Sequence, residues 1–121
     1  MWCRGIRGAT TVEANTKEAI LGAARELLEK IVEANDVHTQ DVAGVIFTTT
    51  TDLNAEFPAA AARQMGWNDI ALMCTHEMAV PDGLPMCLRI LLLANTDKPL
   101  HEIVHVYIKG AKDLKSRTPW S

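Results

Sequence analysis

The sequence predicts an α+β fold: short β-strand segments sharing one core with a long helix and a second helix of only about two turns. Residues 2–12 alternate between two faces, and residues 15–35 repeat apolar side chains at helical spacing. The remaining apolar runs are short, β-rich and bounded by Pro, Gly, Asn and Asp. At 121 residues the chain is read as one domain spanning 1–121. Its 48% hydrophobic and 22% charged residues, with a mean hydropathy of +0.02, exclude a disordered chain. That apolar content is more than a small monomer readily hides, so a partner subunit is expected to cover part of it.

In the first strand, Trp2, Arg4, Ile6 and Gly8 share one face, and Cys3, Gly5, Arg7 and Ala9 the other. Asn15 with Glu18 three residues later makes a capping-box start for the long helix. Ile20, Leu21, Ala24, Leu27, Leu28 and Ile31 form its apolar stripe, and it ends near Asn35. Val45, Ile46 and Phe47 followed by four threonines predict a strand over 42–51. Pro58 and Gly66 bracket the short helix. Further strands are predicted over 70–74, over 86–94 with Arg89 as the one charge inside an apolar run, and over 103–108. The tail over 109–121, rich in Lys and Arg, is expected to be mobile.

A net charge of -3 and a pI near 5.7 argue against nucleic acid or an anionic membrane as partner. Cys3, Cys74 and Cys87 form no CxxC unit and cannot all pair within one chain, which suggests reduced thiols, no zinc site and a cytoplasmic location. No signal peptide, membrane-spanning run or Gly-rich phosphate loop is legible. His101 and His105 share a parity on the last predicted strand, about 13 Å apart, too far to grip one metal ion.

The residues with chemical content are few. Arg89 shares its face with Cys87, Leu91 and Leu93, so its guanidinium must meet an anion, either a carboxylate of the protein or one of a ligand. Arg7 lies on a face of small residues with room beside it; it either pairs with Glu13 or Glu77 or joins Arg89 in gripping a small dianion. Glu77 and His76 follow a strand, where side chains are free to face a ligand or simply solvent. Tyr107, the only tyrosine, is either a rim residue or a hydroxyl that binds an acid.

Taken in order, Arg4-Gly5-Ile6-Arg7-Gly8-Ala9-Thr10-Thr11-Val12-Glu13, Asp52 through Ala59, Cys74-Thr75-His76-Glu77-Met78, Cys87-Leu88-Arg89 and His105-Val106-Tyr107 resemble the small monofunctional chorismate mutases of the Bacillus type. The resemblance covers roughly residues 4–114. It implies a mixed β-sheet packed on the long helix, and homotrimers forming a pseudo-α/β barrel with active sites in the clefts between subunits. It also implies rearrangement of chorismate to prephenate on the route to phenylalanine and tyrosine, without cofactor or metal. By the same resemblance Arg89 reaches the ether oxygen and a carboxylate, Arg7 and Tyr107 reach carboxylates, and Glu77 with Cys74 meets the ring hydroxyl. The backbone of Met73, Cys74, Thr75, His76 and Glu77 lines the pocket, Phe57 and Leu114 cover the ring, and Arg63 adds positive potential at the mouth. Two departures stand out: Ala60 replaces a lysine found in some members, and Lys115, with Arg117 further on, follows Leu114 where many carry an arginine. Lys115 or Arg117 is expected to order over bound substrate. The competing expectations are an enamine or imine deaminase of the Rid type, which also binds small carboxylates with an interface arginine, and a non-catalytic sensor of an aromatic metabolite.

Overall fold

The alternation at the start of the chain builds β1 (Trp2–Thr11), and the amphipathic stripe that follows builds α1 (Lys17–Asn35) across the back of it. The structure, a computed structural model, describes residues 1–114. Next come β2 (Val42–Thr49), α2 (Ala59–Gln64), β3 (Leu72–His76), β4 (Cys87–Thr96) and β5 (Val106–Tyr107). The five strands form one sheet in the order β3-β2-β4-β1-β5. Strand β4 runs antiparallel to both β1 and β2, whereas β1 with β5 and β2 with β3 are parallel, so the sheet is mixed.

One sheet face lies under the helices. Leu88, Ile90, Leu92 and Ala94 of β4 and Val45 and Phe47 of β2 meet Ile20, Ala24, Leu27, Leu28 and Ile31 of α1, all buried. Burial of these side chains is worth about 1.5–3 kcal/mol each and fixes which face of every strand turns inward. Gly8 is part of this fit, since a Cβ there would stand 2.7 Å from Ile31 Cδ1, 3.0 Å from Leu27 Cδ1 and 3.2 Å from the Val106 carbonyl.

Several boundaries differ from expectation, each for a local reason. Helix α1 is capped by Thr16, whose side chain accepts from Ala19 N at 3.2 Å; Asn15 is instead taken by the distant loop, its Oδ1 accepting from the amides of Asn54 and Ala55. Strand β3 starts two residues later than predicted, because Ile70 packs on the core from the preceding turn. Strand β4 starts at Cys87 because Met86 has a left-handed φ of 51° and gives its N–H to Asp52 Oδ2 at 2.9 Å. The last strand shrinks from 103–108 to Val106–Tyr107. The buried Asn35 side chain supplies the hydrogen bonds of Val104 (Nδ2 to its carbonyl, Oδ1 from its amide), and the chain there follows a helix end instead of a strand. His101 consequently lies in a 3-10 turn, Leu100–Glu102, and not on a strand with His105. Within the tail, Lys109–Ala111 forms a 3-10 turn with Ala111 buried, and Gly110 N donates to Thr11 Oγ1 at 3.1 Å; residues 115–121, Arg117 among them, lie outside the described residues.

Asp52 ties the end of β2 to the start of β4. Its carboxylate accepts from the Thr50 hydroxyl and from Met86 N, and Thr50 Oγ1 accepts from Cys87 N at 3.0 Å. The Thr50 hydrogen bond, ahead of the opposing desolvation, holds the Asp52 pKa below the usual carboxylate value.

Two outcomes are expected. Gly8→Ala should lower stability by about 1–3 kcal/mol through overpacking, read as a shifted denaturant midpoint; an unshifted midpoint would show that α1 moves freely off β1. Because the Asp52 pKa is depressed on folding, its contribution is present above the unfolded value of about 3.9 and lost as pH falls through the folded value. Thermal melts below about pH 4 should therefore steepen less with acid in Asp52→Asn than in the parent chain, and identical slopes would show the clamp to be uncoupled from folding.

Candidate active site

The other sheet face is where the polar residues gather. The ladders pair Thr75 with Thr48, Thr48 with Arg89, Arg89 with Ala9 and Ala9 with Tyr107, so these residues form one row across all five strands. Paired residues project to the same face, and adjacent strands lie about 4.8 Å apart, so the backbones of Arg89 and Tyr107 are about 10 Å apart. Arg7 pairs with Leu91 and thus stands diagonally across from Arg89, about 7 Å away at Cβ. Two arginines are thus rooted on one face of the sheet.

Glu77 completes the group. Its amide donates to Thr49 O at 2.8 Å, continuing the β3 alignment past the strand end. Its Oε1 lies 3.7 Å from Arg89 Nε and accepts a hydrogen bond from Thr48 Oγ1, with both Glu77 and Arg89 side chains 26% exposed. The main-chain N–H of Arg7 donates to His105 Nδ1 at 2.9 Å, which pins β1 beside β5 and assigns His105 a positional role. At the β5 end of the row Ala9, Cys87 and Ala111 form a small buried cluster on which Leu84, Tyr107 and Leu114 pack. Burial raises the Cys87 thiol to about 11, so it is neutral at physiological pH beside the arginines.

The parity of β3 divides the remaining expected residues. Met73 and Thr75 share the outer face with Glu77, whereas Cys74 packs inward against the core. Cys74, with Thr75 and His76, lines a cleft of about 360 Å³ together with Phe57 and Pro58. Desolvation raises the Cys74 thiol, with Ala59 at the start of α2 and Arg63 acting the other way. His76 Nδ1 lies 3.2 Å from Thr49 O, anchoring the ring to β2. Phe57 is 66% exposed, and Arg63 is exposed on α2. One chain thus brings Arg7, Glu77, Arg89, Tyr107 and Leu114 to one face, together with Thr75, which also borders a second concavity lined by Phe57, Cys74 and His76, with Arg63 close enough to Cys74 to act on its thiol. Lys115 lies outside the described residues.

Sequence reasoning missed Thr48. It was visible only as one of four consecutive threonines. Its relation to Arg89 depends on the pairing of β2 with β4, whose register shifts between Val42 and Gly44.

A family model described as chorismate mutase type I matches residues 3–118. The chain is 50% identical over 113 residues to a chorismate mutase AroH of Thermus thermophilus, covering 93% of each chain. It is 46% identical over 116 residues to a chorismate mutase AroH of Bacillus subtilis, covering 95% of this chain and 91% of that one. Among solved structures, a chorismate mutase from Clostridium thermocellum superposes with a TM-score of 0.88 at 47% identity, covering 93% of this chain and 98% of the other.

Proposed function

The chain belongs to the type I chorismate mutase family, and from that premise we infer how its own residues act as an isomerase that rearranges chorismate to prephenate. The reaction is an intramolecular pericyclic shift, with no proton transfer and no covalent intermediate. The protein's task is to hold a flexible dianion in its reactive shape and to place positive charge where the breaking ether bond leaves negative charge. The observation that carries the proposal is the row of polar residues on the outer sheet face, with Arg89 at its centre and Arg7 on the diagonal.

Arg89 meets the ether oxygen and one carboxylate, and Arg7 and Tyr107 take carboxylate oxygens, which fits a rigid guanidinium fork better than a point charge. Glu77, beside Arg89, accepts from the ring hydroxyl. Leu114, packed on the same small cluster as Tyr107, shields the ring.

The second concavity supports an assembly. Phe57, Arg63 and Cys74 lie away from the Arg89 face within one chain, so a cleft uniting them requires another copy. Met73 is 63% exposed on the outer face, where Leu91 and Leu93 are only half-buried, leaving apolar surface for such a neighbour to cover. The arrangement proposed is a homotrimer in which the Phe57, Arg63 and Cys74 surface of one subunit closes the Arg7, Glu77, Arg89 and Tyr107 face of the next. The free thiols Cys3, Cys74 and Cys87 fit a cytoplasmic setting.

Purified protein mixed with chorismate alone should show saturable conversion to prephenate above a no-enzyme control; binding without conversion would leave only a sensor. Arg89→Lys should retain fold and charge but lose about 100-fold or more in kcat, checked beside its melting curve, and near-parental turnover would remove Arg89 from the mechanism. Trimer formation is read by light scattering and by complementation. Arg89→Ala and Arg63→Ala chains, each impaired alone, should regain about a quarter of the parental sites when unfolded and refolded together, since half of each site then comes from either chain at random. No regain in mixed trimers would place both residues in one subunit's site.

A further inference from the structure

Glu77 stands beside Arg89 without being hydrogen-bonded to it. The separation of 3.7 Å between Oε1 and Nε exceeds the range for an N–H···O bond, about 2.7–3.2 Å. That same Oε1 accepts a hydrogen bond from Thr48 Oγ1. Thr48 sits directly opposite Arg89 in the antiparallel ladder and beside Thr75 in the parallel one, so its side chain stands between them on the outer face. Among the described residues Arg89 has one ionic neighbour, Glu77. A carboxylate this close to a guanidinium ordinarily swings into a two-pronged fork, which would occupy the donors that a dianionic substrate requires.

We infer that Thr48 is a positioning residue whose hydroxyl holds Glu77 Oε1 off the Arg89 fork, keeping that fork open to substrate while Oε2 remains free to accept from the substrate hydroxyl. The inference rests on the reading of Glu77 and Arg89 as substrate-contacting groups. A threonine suits the task because its branched Cβ restricts χ1 and aims the single hydroxyl proton, and because its place on a strand in mid-sheet fixes the origin of that vector. Removing the hydroxyl releases Glu77 onto Arg89, where it competes with substrate for the same donors. The defect is therefore felt first in substrate binding.

The test compares Thr48→Val, Thr48→Ser and Glu77→Ala with the Thr48→Val/Glu77→Ala double variant, using chorismate as substrate and a melting curve for each protein. Thr48→Val should raise KM about tenfold or more with a smaller fall in kcat, as expected for loss of a hydrogen bond to a charged group. Thr48→Ser should restore the parental KM. In the Glu77→Ala background, Thr48→Val should change nothing further. An unchanged KM in Thr48→Val, a Thr48→Ser variant as impaired as Thr48→Val, or additive defects in the double variant would overturn the role of Thr48 while leaving Glu77 in place. Parental kinetics in Glu77→Ala would instead overturn the reading on which the inference rests. Should Thr48→Val not fold, Thr48→Ala removes the hydroxyl without the second methyl and is held to the same KM criterion.

Discussion

The register of β4 between β1 and β2 is the constraint on which the rest of the molecule depends. Side chains alternate along a strand, so a slip of one residue would turn Arg89 into the helix-packed core and send Leu88 to the outer face. Two devices prevent it. Leu88, Ile90, Leu92 and Ala94 have a tightly packed place under α1, where an arginine would be a desolvated charge facing leucines. At the strand's origin, Asp52 and Thr50 grip the amides of Met86 and Cys87 and fix where the count begins. The packing sets the face and the clamp sets the phase, and the row from Thr75 to Tyr107 follows from both.

The electrostatics of the outer face are asymmetric, as the anionic substrate proposed for it requires. Arg7 and Arg89 sit on diagonal ladder positions, where like charges repel, and Glu77 offsets that repulsion from the side without closing on Arg89. Cys87, on the same face and buried, stays a neutral thiol and adds no negative charge beneath the guanidinium groups. Apolar Ala9 and Leu91 fill the positions between the charges, so the potential is not dispersed through a polar network.

Much of this was legible in the sequence, because its strongest patterns are dictated by packing. The stripe from Ile20 to Ile31, the alternation through Arg7 and the single charge at Arg89 all follow from what can and cannot lie against a core. The family resemblance that identified the chemistry ran through those same residues. What stayed hidden was set by contacts between segments far apart in the chain. Asn15 carries a capping signal, yet its side chain is claimed by Asn54 and Ala55, so the cap passes to Thr16. Residues 103–105 carry a strand signal, yet Asn35 takes both backbone hydrogen bonds of Val104 in their midst. The relation of Thr48 to Glu77 needs the pairing of β2 with β3 as well as with β4, information that no local spacing contains.

Strand β5 is only two residues long, and it seats Tyr107 beside Ala9, close to the opposite end of the chain. The amide of Arg7 likewise meets a histidine ring 98 residues away. The polar row therefore has no local precursor. A chain still missing its last strand has Arg7, Glu77 and Arg89 but not the edge that completes them, and pairings of such long sequence separation are the slow ones to form. The proposed site in this molecule is a property of the finished topology, and its completion hangs on a two-residue edge.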